Sequence, residues 1–180
     1  MPHGSAQHIV VMGVSGSGKT TVGELLADEL GLPYRDGDDL HPAENVAKMA
    51  AGTPLTDDDR WPWLELVGIW LADHPRGGVI GCSALKRSYR DLIRHFAGDV
   101  RFIHVHGSPE LLRSRMEHRE GHFMPAQLLD SQLATLEPLQ DDEPGRMFDV
   151  ADSPAHVAAQ AAAWLAKGRR SAADSPEARP

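Results

Sequence analysis

The residues best suited to chemistry in this chain form one short run from Gly13 to Thr20, which reads GVSGSGKT. It matches the phosphate-loop pattern G-x-x-x-x-G-K-[ST] at every specified position. The glycines let the backbone turn successive N–H groups towards one point at the start of a helix, where a phosphate binds. Lys19 would reach the β- and γ-phosphates, and the Thr20 hydroxyl would coordinate Mg²⁺. The run therefore predicts a site for a nucleoside triphosphate.

The segments on either side decide between a phosphate loop and a glycine- and serine-rich turn that binds nothing. Residues 9–12 are apolar and mostly β-branched, as in a buried strand, and apolar residues at helical spacing follow the run as far as Leu30. Strand, loop and helix in this order favour phosphate binding. The residues predicted to bind the nucleotide here are Gly13, Ser15, Gly16, Ser17, Gly18, Lys19, Thr20 and Thr21.

Two carboxylates, Asp36 and Asp38, follow the second apolar run. The carboxyl ends of parallel strands line the ligand crevice of an α/β sheet, where a carboxylate can hold Mg²⁺ through water or accept a proton from an attacking hydroxyl. Residues two apart in an extended segment point the same way, so both would enter one site. The alternative is an ordinary Asp-Gly turn. The third strand ends without an acid, which favours Asp36 or Asp38 as the carboxylate on the metal side.

Three basic residues suggest an acidic substrate. Arg60 lies near a predicted helix start, where a cation opposes the helix dipole unless it pairs with an acid or a ligand. Lys86 and Arg90 are four residues apart and would project from one helix face, where they repel each other unless an anion is near. The alternative is a solvated basic face. Further on, the basic stretch from 113 to Gly121 resembles a mobile lid over phosphates, or else a plain charged helix end.

The elements that must position these residues alternate regularly along the chain. The predicted strands are 9–12, 33–36, 79–82, 101–105 and 147–150, and the predicted helices are 20–30, 42–51, 59–73, 86–96, 109–119, 126–137 and 154–166. This alternation predicts a parallel sheet covered by helices on both faces. Because proline is excluded from helix interiors, the third helix is expected to start only just before Pro62, with Asp57, Asp58 or Asp59 as its N-cap.

Composition narrows the class of protein further. A chain of 180 residues suits one domain, assigned to 1–168 with a lid at about 113–125, and the polar tail 169–180 is expected to be disordered. The formal net charge of −8 argues against nucleic-acid binding. No apolar run is long enough for a membrane span, and no signal sequence is evident. One cysteine, Cys82, excludes an internal disulfide and fits a cytoplasmic location.

Taken together, these segments resemble the gluconate kinases (gluconokinases), which are phosphate-loop enzymes related to shikimate and nucleoside-monophosphate kinases. The matching pieces are MGVSGSGK at 12–19, DGD at 36–38 with LHP at 40–42, PLTDDDR at 54–60 with PWL at 62–64, CSALK at 82–86 with YRD at 89–91, and GHF at 121–123. They lie within residues 9–152. The phosphate loop is widely shared, whereas the DDDR and CSALK segments in this order are far more specific. The segment 134–138 also resembles the family, without an assigned role.

The resemblance implies ATP- and Mg²⁺-dependent phosphorylation of D-gluconate to 6-phosphogluconate, by a five-stranded parallel sheet of order 2-3-1-4-5 and often a homodimer. It makes Asp38 the group at the acceptor hydroxyl and Asp36 a metal-side group. The residues implied to hold gluconate are Asp36, Asp38, His41, Arg60, Lys86, Arg90 and His122. Arg115 and Pro154 are implied near the adenine, and Arg119 near the transferred phosphoryl group. Two rivals remain: a kinase for another small acid or a nucleotide, and a nucleotide-dependent switch without an acceptor.

Overall fold

Five parallel strands form one sheet in the order β2-β3-β1-β4-β5. They are β1 (Gln7–Met12), β2 (Tyr34–Asp36), β3 (Gly77–Gly81), β4 (Val100–His106) and β5 (Gly145–Asp149). The structure is a computed structural model, and it describes residues 6–118 and 126–173. The predicted α/β fold and the predicted strand order are both confirmed.

Seven helices connect and cover the strands in the described part of the chain. They are α1 (Lys19–Leu30), α2 (Ala43–Ala50), α3 (Asp57–Ala72), α4 (Arg87–Ala97), α5 (Pro109–Glu117), α6 (Ala126–Thr135) and α7 (Pro154–Ala173). The helix α7 continues past its predicted end at 166 and ends at Ala173. The rest of the predicted tail lies outside the described residues. No helix in the described ranges is both long and apolar enough to cross a membrane.

The central strand β1 is buried on both faces, which is why its sequence is apolar without alternation. Val10 and Met12 pack into a layer with side chains of α3 and α4. Ile9 and Val11 pack into the opposite layer with side chains of α1 and α7. All four side chains are fully buried. The phosphate loop therefore follows directly on a strand whose second half is fully buried.

The start of α3 differs from the prediction. Thr56, and not one of the three aspartates, is the N-cap: its hydroxyl accepts a hydrogen bond from the backbone N–H of Asp59, whose carboxylate accepts one from the N–H of Thr56. This reciprocal capping box satisfies two helix-end donors. The helix continues through Pro62, which has no N–H to donate, so a single intrahelical bond is lost near the helix start and the helix is not ended.

Cys82 follows β3 directly and continues its ladder, since its backbone N–H donates to the carbonyl of Val11 at 3.0 Å. Its side chain is fully buried. Burial raises the pKa of the Cys82 thiol to about 12, because the apolar surroundings disfavour the thiolate. The thiol thus belongs to the core, although Ser83, the next residue, reaches the site described below.

Candidate active site

The loop between β1 and α1 has a positive φ at three glycines, Gly13, Gly16 and Gly18, and this conformation favours glycine. At Gly13, whose φ is +153°, a Cβ atom would lie 2.6 Å from the carbonyl oxygen of Val105 on β4. Gly18, with φ of +87°, is the residue immediately before the first turn of α1. The loop is therefore closely packed on the sheet at Gly13. At Gly18, where the chain enters the helix N-terminus, the left-handed backbone favours glycine although there is space for a side chain.

Lys19 is folded along its own loop. Its Nζ donates hydrogen bonds to the carbonyl oxygens of Gly13 at 2.9 Å and Val14 at 3.1 Å. The buried hydroxyl of Ser17 donates to the carbonyl of Val14 at 2.7 Å. A cleft beside the loop is lined by Ser15, Gly16, Gly18, Lys19, Thr20, Thr21, Asp36, Asp38, Gly81 and Met116. The structure thus gathers most of the residues predicted to bind the nucleotide around one cleft.

Asp36 and Asp38 reach the same cleft, but not because they lie in one extended segment. Asp36 is the last residue of β2, and Asp38 is in the 3-10 turn Gly37–Leu40 that follows. The Asp36 carboxylate caps this turn by accepting a hydrogen bond from the Asp38 N–H at 2.9 Å. The assumption of an extended backbone was therefore wrong, while the proximity of the two carboxylates holds for a different reason.

The donor atoms at this cleft suit Mg²⁺. Thr20, Asp36 and Asp38 offer only oxygen ligands, which is the preference of that ion. Burial, opposed by the hydrogen bond from Asp38, raises the pKa of Asp36, and neighbouring carboxylates add to the effect. A cation would relieve this repulsion. Within residues 6–118 and 126–173, no group of three or more His, Cys, Asp or Glu side chains could hold a metal ion by itself. Phosphate oxygens would have to complete the coordination.

A second cleft adjoins the first and is lined by a more varied set of side chains. Its residues are Ser15, Lys19, Asp38, His41, Met49, Thr53, Pro54, Leu55, Arg60, Trp63, Ser83, Leu85, Leu128, Ser131 and Gln132. We call it the acceptor pocket. Ser15, Lys19 and Asp38 line both clefts. The floor includes Trp63, whose ring stacks on the His41 imidazole with centroids 4.0 Å apart and whose Nε1 donates to the carbonyl of Gly37.

His41 is neutral and has one defined tautomer. Burial, assisted by the charge of Arg60, lowers the pKa of His41 to about 4. Its Nδ1 accepts a hydrogen bond at 3.3 Å from Asn45 Nδ2, which can only donate. The ring proton is therefore on Nε2, which lies 3.9 Å from Asp38 Oδ1. This arrangement leaves a neutral donor beside the carboxylate at the centre of the site.

Of the three cations predicted to hold an acidic substrate, Arg60 lies in the acceptor pocket. Its Nη1 donates to the Tyr89 hydroxyl at 2.9 Å and is 3.7 Å from Asp57 Oδ1. Lys86 contacts the same Asp57 carboxylate at 3.3 Å but does not line the pocket. Lys86 is the N-cap of α4 with an extended backbone, so it does not share a helix face with Arg90. The geometry that suggested a paired clamp is absent.

Arg90, which was predicted to bind substrate, lines neither of the two clefts. Its side chain is fully buried and forms a two-pronged ion pair with the equally buried Glu143, at 2.6 Å and 2.9 Å. The Nη1 atom also donates to the carbonyl oxygens of Ala84 at 3.0 Å and Glu137 at 3.1 Å. Every arm of the guanidinium is thus used inside the protein. Arg90 holds the segment after β3 against the segment after α6.

The remaining predicted contacts lie farther from the two clefts or outside the described residues. Arg115 on α5 donates to the carbonyl of Val150 at 2.5 Å, next to the turn that leads to Pro154 at the start of α7. Neither residue lines the cleft beside the phosphate loop, so their roles near the adenine stay predictions. Arg119 and His122, with the rest of the lid beyond His118, lie outside the described residues. Their roles stay predictions.

Sequence reasoning missed the contribution of α6 to this site. Leu128, Ser131 and Gln132 line the acceptor pocket, and the Gln132 amide oxygen accepts a hydrogen bond from the backbone N–H of Ser15 at 2.7 Å. These partners are 117 positions apart in sequence. The only available signal was that the adjoining segment 134–138 resembles the gluconate kinases. Ser83, which follows the buried Cys82, was likewise missed.

A phosphate loop at a helix N-terminus, two carboxylates beside it, and an adjoining pocket for a second substrate define a phosphate-loop kinase. The sequence profile of the shikimate kinase family matches residues 15–165. The gluconokinase of Gluconobacter oxydans is 55% identical over 139 residues, covering 76% of this chain and 78% of that protein. The thermoresistant gluconokinase of Escherichia coli is 40% identical over 164 residues, covering 89% and 94%.

Structural comparison agrees. The crystal structure of a gluconokinase from Sinorhizobium meliloti 1021 matches with a TM-score of 0.86 and 51% identity, over 92% of this chain and 94% of that one. The chain belongs to the gluconokinases, within the shikimate kinase family. The resemblance drawn from the short motifs is confirmed.

Proposed function

We propose that the protein transfers the γ-phosphoryl group of ATP to the C6 hydroxyl of D-gluconate. The observation that carries this proposal is that Ser15, Lys19 and Asp38 line both clefts. A triphosphate on the loop and a small acceptor in the pocket would meet at these three residues. Direct transfer between two bound substrates needs such a shared boundary, because the attacking oxygen and the phosphorus must come into near contact.

The reaction forms a bond from the C6 oxygen to the γ-phosphorus and breaks the bond from that phosphorus to the oxygen bridging it to the β-phosphorus. Asp38 would accept the hydroxyl proton as the oxygen attacks. Lys19 would leave its loop carbonyls for the β- and γ-phosphates and stabilise their charge. Mg²⁺, held by Thr20 and Asp36, would neutralise phosphate charge. Arg119 is proposed at the transferred group by resemblance alone.

The acceptor pocket offers chemistry suited to a sugar acid. Arg60 is a cation that lines the pocket and can bind the carboxylate. The Nε2–H of His41 can donate to hydroxyl groups of the acceptor, and the Asp38 carboxylate can accept from them. Lys86 would act on the carboxylate only through the shared Asp57. His122 is proposed as a further hydroxyl partner. The adenine is proposed near Arg115 and Pro154.

Further features of the proposal follow the family. We include Mg²⁺ dependence, a homodimer, a cytoplasmic location and a product that feeds the pentose phosphate or Entner–Doudoroff route. The single buried cysteine and the negative net charge support a reducing location without nucleic acid as a partner. Light scattering after size-exclusion chromatography tests the dimer, and titration of metal against rate tests the dependence on Mg²⁺.

The decisive experiment is ADP release measured with ATP and one acceptor at a time: D-gluconate, shikimate, a nucleoside monophosphate, or none. We expect turnover with gluconate and essentially none with the others. Preferred turnover with shikimate or a nucleotide would support the rival kinase assignment. Nucleotide binding without stimulation by any acceptor would support a switch and refute the proposed function.

A further inference from the structure

Gln132 lines the acceptor pocket from α6 and hydrogen-bonds to the phosphate loop, of which it is not itself a part. The distance of 2.7 Å from Ser15 N to Gln132 Oε1 is at the short end for an N–H···O bond. A backbone N–H can only donate, so the amide oxygen of Gln132 must face the loop. The orientation of this amide is therefore defined by its chemistry.

The other end of the same amide is the nitrogen Nε2. Within residues 6–118 and 126–173, Gln132 Nε2 forms no hydrogen bond. The side chain lines the acceptor pocket together with Ser131, Asp38 and Arg60. With its oxygen on Ser15, the amide offers two N–H donors to whatever occupies the pocket next to the loop. A hydroxyl group of the acceptor is the partner that fits these donors.

Gln132 is held in place by the surrounding structure. Leu128, Ser131 and Gln132 are spaced as one face of a helix, and all three line the pocket. Just beyond the end of α6, the Glu137 N–H donates to the carbonyl of Leu85 at 2.7 Å, and that segment is also held by Arg90. The helix cannot move away from the site without breaking these contacts.

We propose that Gln132 is a positioning and specificity residue, which donates from Nε2 to the C5 hydroxyl of the acceptor while its Oε1 braces the phosphate loop at Ser15. This inference rests on the proposed function. The reacting C6 hydroxyl must lie at the boundary formed by Ser15, Lys19 and Asp38. The hydroxyl on the neighbouring carbon is then the one within reach of an amide fixed to Ser15.

The bracing role has a thermodynamic consequence. An acceptor that binds Nε2 also holds Oε1 against the loop, so the two substrates should bind with positive synergy. Linkage requires that each substrate increases the affinity of the other by the same factor. The synergy should disappear when the amide is replaced by a side chain of similar shape that cannot form hydrogen bonds.

The test combines Gln132→Met with two altered acceptors. The variant keeps an unbranched side chain of similar length but loses both hydrogen bonds. Wild type should use 5-deoxy-D-gluconate with a kcat/KM lowered roughly fivefold to tenfold, the effect of one hydrogen bond to an uncharged group. The kcat/KM of Gln132→Met with D-gluconate should be lowered by a similar factor relative to wild type. The variant should have nearly the same kcat/KM with D-gluconate and with the 5-deoxy compound. The compound 3-deoxy-D-gluconate is the control for loss of a hydroxyl group elsewhere in the acceptor. Its use should lower kcat/KM by the same factor in wild type and in Gln132→Met.

Two further measurements complete the design. The Kd of a non-hydrolysable ATP analogue, with and without D-gluconate, should show synergy in wild type and almost none in Gln132→Met. Gln160→Met, which changes an exposed glutamine on α7 outside the acceptor pocket, should behave as wild type in every assay. A purely structural role for Gln132 would instead lower kcat/KM equally for all acceptors.

Equal sensitivity of wild type and Gln132→Met to removal of the C5 hydroxyl would overturn the specificity assignment, and unchanged synergy would overturn the bracing. Both results differ from failure of the proposed function, in which wild type itself does not phosphorylate gluconate. If wild type prefers another acceptor, the synergy measurement with that acceptor decides the role of Gln132.

Discussion

Replacing Arg90 with methionine should destabilise the fold and leave recognition of the acceptor largely intact. The substitution removes the ion pair to Glu143 and the hydrogen bonds to the carbonyls of Ala84 and Glu137, all within the protein interior. Glu143 then remains buried with one described partner, the backbone N–H of Gln140 at 2.8 Å. A buried carboxylate without its cation is among the most costly defects that one substitution can create.

The expected loss in the free energy of unfolding is about 3–5 kcal/mol, the range for breaking a buried pair on one side. Both side chains are essentially inaccessible, with relative exposures of 0% and 1%, so water cannot compensate for the lost partner. In the double variant Arg90→Met/Glu143→Leu the unpaired charge is gone. Part of the loss should then be recovered, but not all, because the carbonyls that Arg90 served lose their donor.

The contribution of Glu143 to the pH dependence of stability should have opposite signs in wild type and in Arg90→Met. In wild type, burial raises the pKa of Glu143. The hydrogen bonds from Arg90 and from the Gln140 N–H, together with the charge of Arg90, outweigh burial, so the pKa is lowered. A lowered pKa adds stability that is present above the unfolded value of about 4.3 and is lost as the pH falls. Without Arg90, burial dominates and the pKa rises. In the Arg90→Met variant, the contribution of Glu143 to the free energy of unfolding should therefore fall as the pH rises from about 4.3 through the raised pKa of the folded state.

Urea denaturation followed by tryptophan fluorescence measures these changes, with steady-state kinetics on each folded variant. Arg87→Met, in the same helix, is the matched control, because Arg87 forms an exposed ion pair with Asp142 and its loss should matter far less. An equal loss for both variants, or a KM for gluconate raised by Arg90→Met/Glu143→Leu as strongly as by Arg60→Ala, would refute the structural role assigned to Arg90.

Four other expectations concern the site itself. Lys19→Ala should lose about 3 kcal/mol of transition-state stabilisation, measured as kcat in a folded variant, and near-normal turnover would remove the loop from the mechanism. Arg60→Ala should raise the KM for gluconate and leave that for ATP nearly unchanged, a split that initial rates with each substrate would detect. Asp38→Asn should lower kcat by roughly a hundredfold or more, whereas Asp36→Asn should raise the Mg²⁺ concentration for half-maximal rate; exchanged phenotypes would reverse their roles. Because the pKa of His41 is lowered to about 4, wild type should lose more stability than His41→Asn as the pH falls from about 6.5 towards 4, by urea denaturation at each pH.

Local patterns predicted the alternating strands and helices and the phosphate loop, because each element carries its own signal in a short window. The order of the strands in the sheet came from the resemblance to the gluconate kinases. Local patterns did not predict which charges meet. Arg90 and Glu143 are 53 positions apart, and spacing alone made Arg90 look like a surface cation. Gln132 reaches Ser15 from a helix that shows no local sign of function. Asp36 and Asp38 share a cleft through a 3-10 turn, which the assumption of an extended strand did not anticipate.

The buried position of Cys82 makes its thiol a native probe of local opening in this protein. A thiol with no exposed surface and a raised pKa cannot react with an alkylating reagent until the end of β3 opens. Since it is the only cysteine in the chain, the labelling rate reports that one opening event without any engineered tag. Ser83, which follows it, lines the acceptor pocket, and the Ser83 carbonyl accepts from the N–H of Gly13 at 3.3 Å. The labelling rate of Cys82 therefore measures how often the core beside the active site opens locally. The decrease in this rate when a substrate is added measures how much that substrate suppresses the opening.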